Sequence, residues 1–323
     1  MITVLCGGVG AARFLRALRG ATVDGVAVDP RSVVGIVNTG DDLVMHGLSI
    51  SPDIDTITYT LAGAIDPERG WGLLDETWTA MASLERYVPV RPQGSTAAPT
   101  WFNLGDRDLA THCYRTARLA EGATLTEVTD EIRRAWSVPE RLIPMTDARV
   151  STLVELADGR TVSFQEYFVQ LRHGVPVRSV TFDGAMAAPL QPLAASAIDD
   201  ADAVVIAPSN PVVSIGPLRA ITGIDERLSA RRSSVVAVSP IVGGAALKGP
   251  ADRMLRELGH EASVVGVARL YREIAGTLVI DPVDAHLADD VVAAGMRCVV
   301  QPSVMTDPAV GAALAEAVLA AAR

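Results

Sequence analysis

At 323 residues, with hydrophobic residues at 49% and aromatics at only 4%, the chain has to build its core from Ala, Val, Leu and Ile, a composition that favours buried parallel strands and covering helices over a β-sandwich. A formal charge of −10, from 28 Lys and Arg against 38 Asp and Glu, with no basic run, excludes nucleic acid and an anionic membrane as expected partners. A bound polyphosphate stays open, because backbone N–H groups and a metal ion neutralise one without a basic surface.

In chain order, short apolar runs of strand length occur at Ile2 to Leu5, Val33 to Val37, Val177 to Phe182, Ala203 to Ala207, Val235 to Val238, Val264 to Val267 and Thr277 to Ile280. Most alternate with helical stretches. Pro250 to Leu258 is typical, with Pro250 suited to the first helical position and Gly259 as the stop. Between the second and third runs the pattern turns mostly helical: Ile54 to Ala64, Leu73 to Arg86, Arg107 to Ala120 and Leu125 to Trp136. Arg149 to Leu156 and Arg160 to Ser163, split by Asp158-Gly159, read as a hairpin. The Pro/Gly/Ser/Thr-rich stretch from Pro89 to Pro99 reads as a mobile loop. The expected fold is α/β, a Rossmann-like, mostly parallel sheet with a helical insertion after the second strand. Residues 1–50 and 175–323 would form the nucleotide-binding core and residues 51–174 the insertion.

Cys6, Cys113 and Cys298 are far apart and outside any C-x-x-C spacing, which argues against a disulfide frame or a zinc site. No basic leader precedes the first strand, and no apolar run reaches the ~18 residues of a membrane span. A cytoplasmic enzyme is the expectation, with a two-fold homodimer as the commonest assembly of its class.

Five segments could carry chemistry. Gly7-Gly8-Val9-Gly10-Ala11-Ala12-Arg13 follows the first strand and opens a helix, a position where backbone N–H groups meet a phosphate. A dinucleotide fingerprint would place a third glycine where Arg13 stands and an acid at the end of the second strand, which instead ends at Asn38. A nicotinamide-dependent oxidoreductase is disfavoured on both counts. The plainer reading is a tight turn without a ligand, against which Arg13 points to an anion.

Asn38-Thr39-Gly40-Asp41-Asp42 lies at the carboxyl end of the second strand, where open α/β sheets place ligands. Paired carboxylates there suit Mg²⁺, which takes oxygen ligands, although a solvated loop would look the same. Ser51-Pro52-Asp53-Ile54-Asp55-Thr56 adds two acids at a helix start. Asp53 or Ser51 could be an N-cap, yet four acids between Asp41 and Asp55 exceed what caps require, so a metal site or a general base is expected.

Trp101-Phe102-Asn103-Leu104-Gly105-Asp106-Arg107-Asp108, with Thr111 and His112 just beyond, sets aromatics beside groups that read the edge of a flat, polyhydroxylated ligand. The alternative is a helix start with Asp106 as cap and Trp101 and Phe102 as core. Pro208-Ser209-Asn210-Pro211 and Ser239 to Pro250, including Gly243, Gly244 and Lys248, follow later strands and would share the same sheet edge. The order of a Walker loop is absent.

Taken in order, Gly7-Gly8-Val9-Gly10, Asn38-Thr39-Gly40-Asp41-Asp42, Ser51 to Thr56, Trp101 to Asp108 and Ser239-Pro240-Ile241-Val242-Gly243-Gly244 resemble the 2-phospho-L-lactate transferase family of coenzyme F-420 biosynthesis over nearly the whole chain. The resemblance implies transfer of a phospholactyl or phosphoenolpyruvyl group from a guanosine diphosphate conjugate to the ribityl hydroxyl of a deazaflavin, with release of GMP. The Ala- and Arg-rich, Lys-poor composition resembles actinobacterial members, associated with the phosphoenolpyruvate-derived donor. The family resemblance further implies Mg²⁺ on Asp41 or Asp42 and an acceptor-orienting or proton-accepting role for Asp53 or Asp55. Gly8, Gly10 and Arg13 would cradle the diphosphate. Ser209, Asn210, Gly243, Gly244 and Lys248 would hold the guanosine, and Asn103 and Asp106 the deazaflavin. A nucleotide-sugar-binding regulator of the same fold is the alternative, but it would not need the Trp101 to Asp108 segment.

Overall fold

A computed structural model describes residues 1–323. Its centre is a seven-stranded sheet built from β1 (Ile2–Cys6), β2 (Val33–Val37), β3 (Arg141–Pro144), β7 (Ala203–Ile206), β8 (Val235–Val238), β9 (Thr277–Ile280) and β10 (Arg297–Val300). The spatial order is β10-β9-β8-β7-β1-β2-β3, and every neighbouring pair is parallel. Ile2 pairs with Val33 on one side and Ala203 on the other. The chain leaves β1 toward β2 and β3, then returns to β7 on the opposite flank, so β1 is the switch point at which the following loops part and leave a crevice.

The aliphatic composition is explained by this sheet. All residues of β1, β2, β7, β8 and β9 are buried, as strands covered on both faces must be. One face is packed by α1 (Gly8–Leu18), α2 (Pro52–Leu61) and α12 (Pro308–Ala321) through Phe14, Leu15, Ile54, Ile57, Leu314 and Val318. The other face is covered by α6 (Pro192–Asp199), α8 (Ile224–Ala230) and α10 (Val264–Tyr271) through Ala194, Ile198, Leu228 and Val267.

A second, antiparallel sheet has the order β6-β4-β5, from β4 (Ser151–Leu156), β5 (Thr161–Ser163) and β6 (Val177–Asp183). The expected hairpin is its β4–β5 half, turning at Gly159 with φ +88°. The run from Val177 is a strand, but it joins this small sheet by pairing with β4 rather than the parallel core. The Thr152 N–H donates to the Gly40 carbonyl at 2.7 Å, fastening the small sheet to the loop after β2.

Three further differences from the sequence reading have local causes. Val264 to Val267 is not a strand but the first turn of α10. Ser263 Oγ accepts from the N–H groups of Val265 and Gly266 at 3.1 and 3.2 Å, and a four-residue apolar run cannot by itself distinguish a buried helix from a strand. The stretch from Leu73 to Arg86 is not one helix, because Asp75 sits at φ +57° and Leu73 bridges to Ile65. Only α3 (Thr79–Leu84) is α-helical, followed by a 3₁₀ turn at Glu85–Tyr87. The two edge strands, β3 and β10, were not recognisable as strands: one is four residues ending in Pro144, tolerated only at an edge, and the other is half-exposed Arg297-Cys298-Val299-Val300.

Candidate active site

The loops after β1, β2 and β7 meet at the crevice. Gly7 is extended, Gly8 takes φ +71°, and α1 then starts without a cap from Gly7; the Asp53 carboxylate accepts from the Gly8 N–H, and the N–H groups that follow in the first turn have no intrahelical partner. A Cβ on Gly7 would lie 2.7 Å from Asp53 Oδ2, and one on Gly10 would lie 2.0 Å from the Pro208 carbonyl oxygen. Gly7 therefore admits a carboxylate, and Gly10 lets the loop after β7 cross the helix start. Ser209 Oγ, itself buried, donates to the Gly7 carbonyl at 2.8 Å and pins that crossing.

After β2, buried Asn38 folds the chain back. Its Oδ1 accepts from the Gly40 N–H at 2.8 Å while its Nδ2 donates to Asp53 Oδ2 at 2.9 Å. Asp42 Oδ2 accepts from Ser51 Oγ at 2.6 Å. Asp53 and Asp55 come from the first turn of α2, a helix buried along its whole length from Asp53 to Leu61. The four acids read from the sequence are thus brought to one place, Asp41, Asp53 and Asp55 buried and Asp42 half-buried.

Their protonation reflects that burial. Desolvation raises Asp41 and Asp42 well above the usual carboxylate range, and Asp41 is pushed further by the charges of Asp53 and Asp42. Burial raises Asp53 to about 6 against the opposing bonds from Asn38 and the Gly8 N–H. Burial also raises Asp55, opposed chiefly by the charge of Arg115. Asp41 Oδ1 and Asp42 Oδ1 are buried acceptors with no donor. Such orphaned oxygens carry a desolvation cost, largest for the ionised form, that a cation would relieve, and oxygen-only donors match a hard ion such as Mg²⁺. The residues fit that ion.

Behind the acids lies a group the sequence reading missed. Arg115, from α4 (Asp108–Ala120), is fully buried and forms a two-point ion pair with Asp55, Nη1 to Oδ2 at 3.1 Å and Nη2 to Oδ1. Burial opposes its charge, but the Asp55 and Asp42 carboxylates raise its pKa all the same. His112 Nδ1 lies 3.3 Å from Arg115 Nη1, and its Nε2 lies 3.3 Å from Asp108 Oδ2. Tyr59 OH donates to Asp108 Oδ1 at 2.5 Å. One signal was available: the face of α4 that is buried carries Thr111, His112 and Arg115, three polar residues at helical spacing where core residues would be expected.

The segments assigned to ligand edges are placed as follows. Arg13 is half-buried. Partial burial, with the charge of Arg13 adding to it, holds Lys248 below the ordinary lysine pKa. Lys248 donates to the Arg69 carbonyl at 2.5 Å. Gly243 and Gly244, at φ +60° and +76°, form the two-residue turn of a short hairpin, Ile241–Val242 with Ala245–Ala246, so their backbone conformation alone calls for glycine. Asn210 Oδ1 accepts from the Val212 N–H at 2.9 Å. Asn103 is exposed.

Asp106 is not the cap of α4. Its carboxylate accepts from Thr77 Oγ1 at 2.5 Å and from the N–H groups of Thr79 and Ala80 at 2.9 Å each, capping α3, and these bonds lower its pKa to about 2. The start of α4 is capped by Glu76, which accepts from the Arg107 and Asp108 N–H groups at 2.8 and 2.9 Å. Each helix is capped by a residue preceding the other. Trp101 and Phe102 are half-buried against Met45, Ile50, Met81 and Leu104 in a small core of the insertion.

No helix is long and apolar enough to cross a membrane. A structural neighbour, a crystal structure of a UPF0052 family protein from Bacillus halodurans, superposes with a TM-score of 0.60 at 14% identity, covering 98% of each chain, which supports the fold. In sequence, the chain is 41% identical to a phosphoenolpyruvate transferase of Kitasatospora aureofaciens, covering 99% of this chain and 97% of that protein. It is 42% identical to the phosphoenolpyruvate transferase of Streptomyces griseus, at 98% and 97% coverage. The relative of that name from Mycolicibacterium smegmatis is 41% identical, at 98% and 97% coverage. The sequence model of the family described as 2-phospho-L-lactate transferase CofD matches residues 2–302. With Asp41, Asp53 and Asp55 buried and Asp42 half-buried beside a glycine turn at the switch point of its sheet, the chain belongs to this family of transferases.

Proposed function

We propose that the protein transfers a phosphoenolpyruvyl group, or its 2-phospholactyl counterpart, from a guanosine diphosphate conjugate to the ribityl hydroxyl of a deazaflavin, releasing GMP in coenzyme F-420 biosynthesis. The observation that carries this reading is the pair of orphaned, buried oxygens of Asp41 and Asp42 in the same crevice as the glycine start of α1, which Gly7 leaves without a cap of its own. A diphosphate donor needs a cation and N–H donors together, and here both are offered within one crevice. The names of the relatives favour the phosphoenolpyruvyl donor.

In the reaction, the hydroxyl oxygen forms a bond to the phosphorus that bears the acid ester. The bond from that phosphorus to the bridging oxygen breaks, GMP leaves with the bridging oxygen, and the hydroxyl proton passes to a carboxylate. Asp53 suits that last role, since a carboxylate raised to about 6 is ionised at neutral pH yet basic enough to take the proton. Asp55, held at both oxygens by Arg115, orients rather than accepts. Mg²⁺ held by Asp41 and Asp42 would supply charge neutralisation on the diphosphate and on departing GMP. Arg13 and Lys248 add positive charge at the mouth, and in-line positioning supplies most of the rest. The acceptor lies toward residues 51–174, with Asn103 reading its edge.

The test is a mass-spectrometric assay of purified protein with the deazaflavin alcohol, Mg²⁺ and each guanosine diphosphate conjugate in turn, with and without chelator. Phosphodiester product together with GMP, both lost on chelation, is the expected result. Nucleotide binding without product from any donor would overturn it.

A further inference from the structure

Asp55, Asp108 and His112 each offer a ligand atom, and these atoms lie within 4.8 Å of one another, as the ligands of a metal ion do. Two of the three are already engaged by Arg115. Nη1 lies 3.1 Å from Asp55 Oδ2 and 3.3 Å from His112 Nδ1, while Nη2 reaches the other Asp55 oxygen. Arg115 is also the one Lys or Arg side chain in the protein that is buried, and the carboxylates of Asp55 and Asp42 favour its charge. Its charge is permanent, because a guanidinium does not lose its proton in a protein.

We propose that Arg115 is a built-in counter-cation that fills the Asp55–Asp108–His112 cluster, fixes Asp55, and thereby keeps a divalent ion out of that half of the acidic centre. The inference rests on the reading of Asp41 and Asp42 as the metal end of the site, and it divides the acids into two halves. The Asp41–Asp42 half, with donor-free oxygens, takes an exchangeable ion that arrives with substrate. The Asp55 half is neutralised by the chain itself. A divalent ion among the three ligands would sit within a few ångströms of a guanidinium, and in a desolvated pocket that like-charge contact is prohibitive. Arg115 is a positioning residue on this account, acting through Asp55, and a merely structural arginine would not alter metal uptake when replaced.

The experiment measures Mn²⁺ uptake by the whole protein, by equilibrium dialysis and titration calorimetry, in the wild type, Arg115→Ala, Arg115→Lys and Arg115→Ala/His112→Ala. The readout is the increment relative to wild type. One additional Mn²⁺ per chain in Arg115→Ala, absent in Arg115→Lys and lost again in the double variant, is expected. No increment in a folded Arg115→Ala overturns the proposal, as does an equal increment in Arg115→Lys. The absolute uptake of the wild type tests the Asp41–Asp42 reading separately, so the two can fail independently. Should Arg115→Ala not fold, the wild type still decides: in ¹⁵N-histidine NMR, added Zn²⁺ leaves the His112 ring signals unshifted, and a ligation shift at His112 Nδ1 or Nε2 overturns the proposal.

Discussion

Lys248 Nζ donates to the Arg69 carbonyl oxygen at 2.5 Å, fastening the loop after β8 to the loop that leaves α2. Position 70 is shaped by this contact: a Cβ there would lie 2.5 Å from the same ammonium and 3.6 Å from Val9 Cγ1 of the glycine turn. The bond therefore spans the mouth of the crevice beside Arg13. Arg69 is itself steadied, its guanidinium lying 5.4 and 5.2 Å from the ring centroids of Trp71 and Trp78.

If Lys248 also contributes charge to the donor diphosphate, Lys248→Met weakens GDP binding by roughly tenfold at low salt, equivalent to about 1.4 kcal/mol, and the loss shrinks as salt is raised. Titration calorimetry at two ionic strengths measures it. An unchanged affinity assigns Lys248 to loop bridging alone.

Asp53 sets a pH dependence with a definite sign. Its folded pKa of about 6 exceeds the ordinary 3.8, so between those values the folded state binds the extra proton. Stability therefore falls as pH rises from about 4 to about 6, by up to about 3 kcal/mol from this group. The activity limb runs the opposite way, since the base is lost as pH falls through about 6. Asp53→Asn is expected to be more stable than wild type at pH 7.5 and inactive, with a flatter dependence of thermal midpoint on pH between 4 and 6. Identical pH profiles of stability in the two proteins would sink this assignment.

The acids of the metal end are costly without a cation, so Mg²⁺ is expected to raise the thermal midpoint at pH 7.5 and to do little at pH 5, where protonation replaces it. Asp41→Asn and Asp42→Asn each reduce the Mg²⁺-induced shift. Differential scanning calorimetry with and without 5 mM Mg²⁺, a concentration on the order of that used for weak oxygen-ligand sites, is the check; a shift retained in both variants places the ion elsewhere.

Gly10→Ala tests packing rather than chemistry. Its Cβ would meet the Pro208 carbonyl oxygen at 2.0 Å, backbone that cannot swing aside, so a loss of about 3 kcal/mol or more is expected. Thermal unfolding without ligand measures it. Gly47→Ala is the control, with nothing within 4 Å of its Cβ and a strain arising only from φ +77°.

Asn103 and Asp106 are expected to separate. Asn103 is exposed, so Asn103→Ala raises the apparent KM for the acceptor severalfold while GDP affinity holds. Asp106 caps α3, so Asp106→Ala lowers stability as well. With its folded pKa depressed to about 2, the stability it contributes is present above the ordinary 3.8 and is lost as pH falls toward 2. Steady-state kinetics paired with acid unfolding distinguishes them.

The parallel core was legible because its strands are covered on both faces and so must be continuous aliphatic runs, as at Ile2 to Leu5 and Val235 to Val238. The glycine turn and the four acids were legible too, since motif order along the chain survives whatever the packing. What the sequence could not reveal arises from contacts between distant segments. Arg115 and Asp55 are separated by sixty positions, and no local pattern pairs them. Asp106 and Glu76 exchange their capping roles across about thirty residues, whereas a local reading assigns each carboxylate to its own nearest helix. The edge strands β3 and β10, four residues each, are strands only because a neighbour supplies their hydrogen bonds. By itself the sequence determined the aliphatic α/β core and the inventory of acids and glycines at its edge. Tertiary structure alone decided which acids lose their water and which cation each one faces, because desolvation and ion pairing depend on distances in space rather than along the chain.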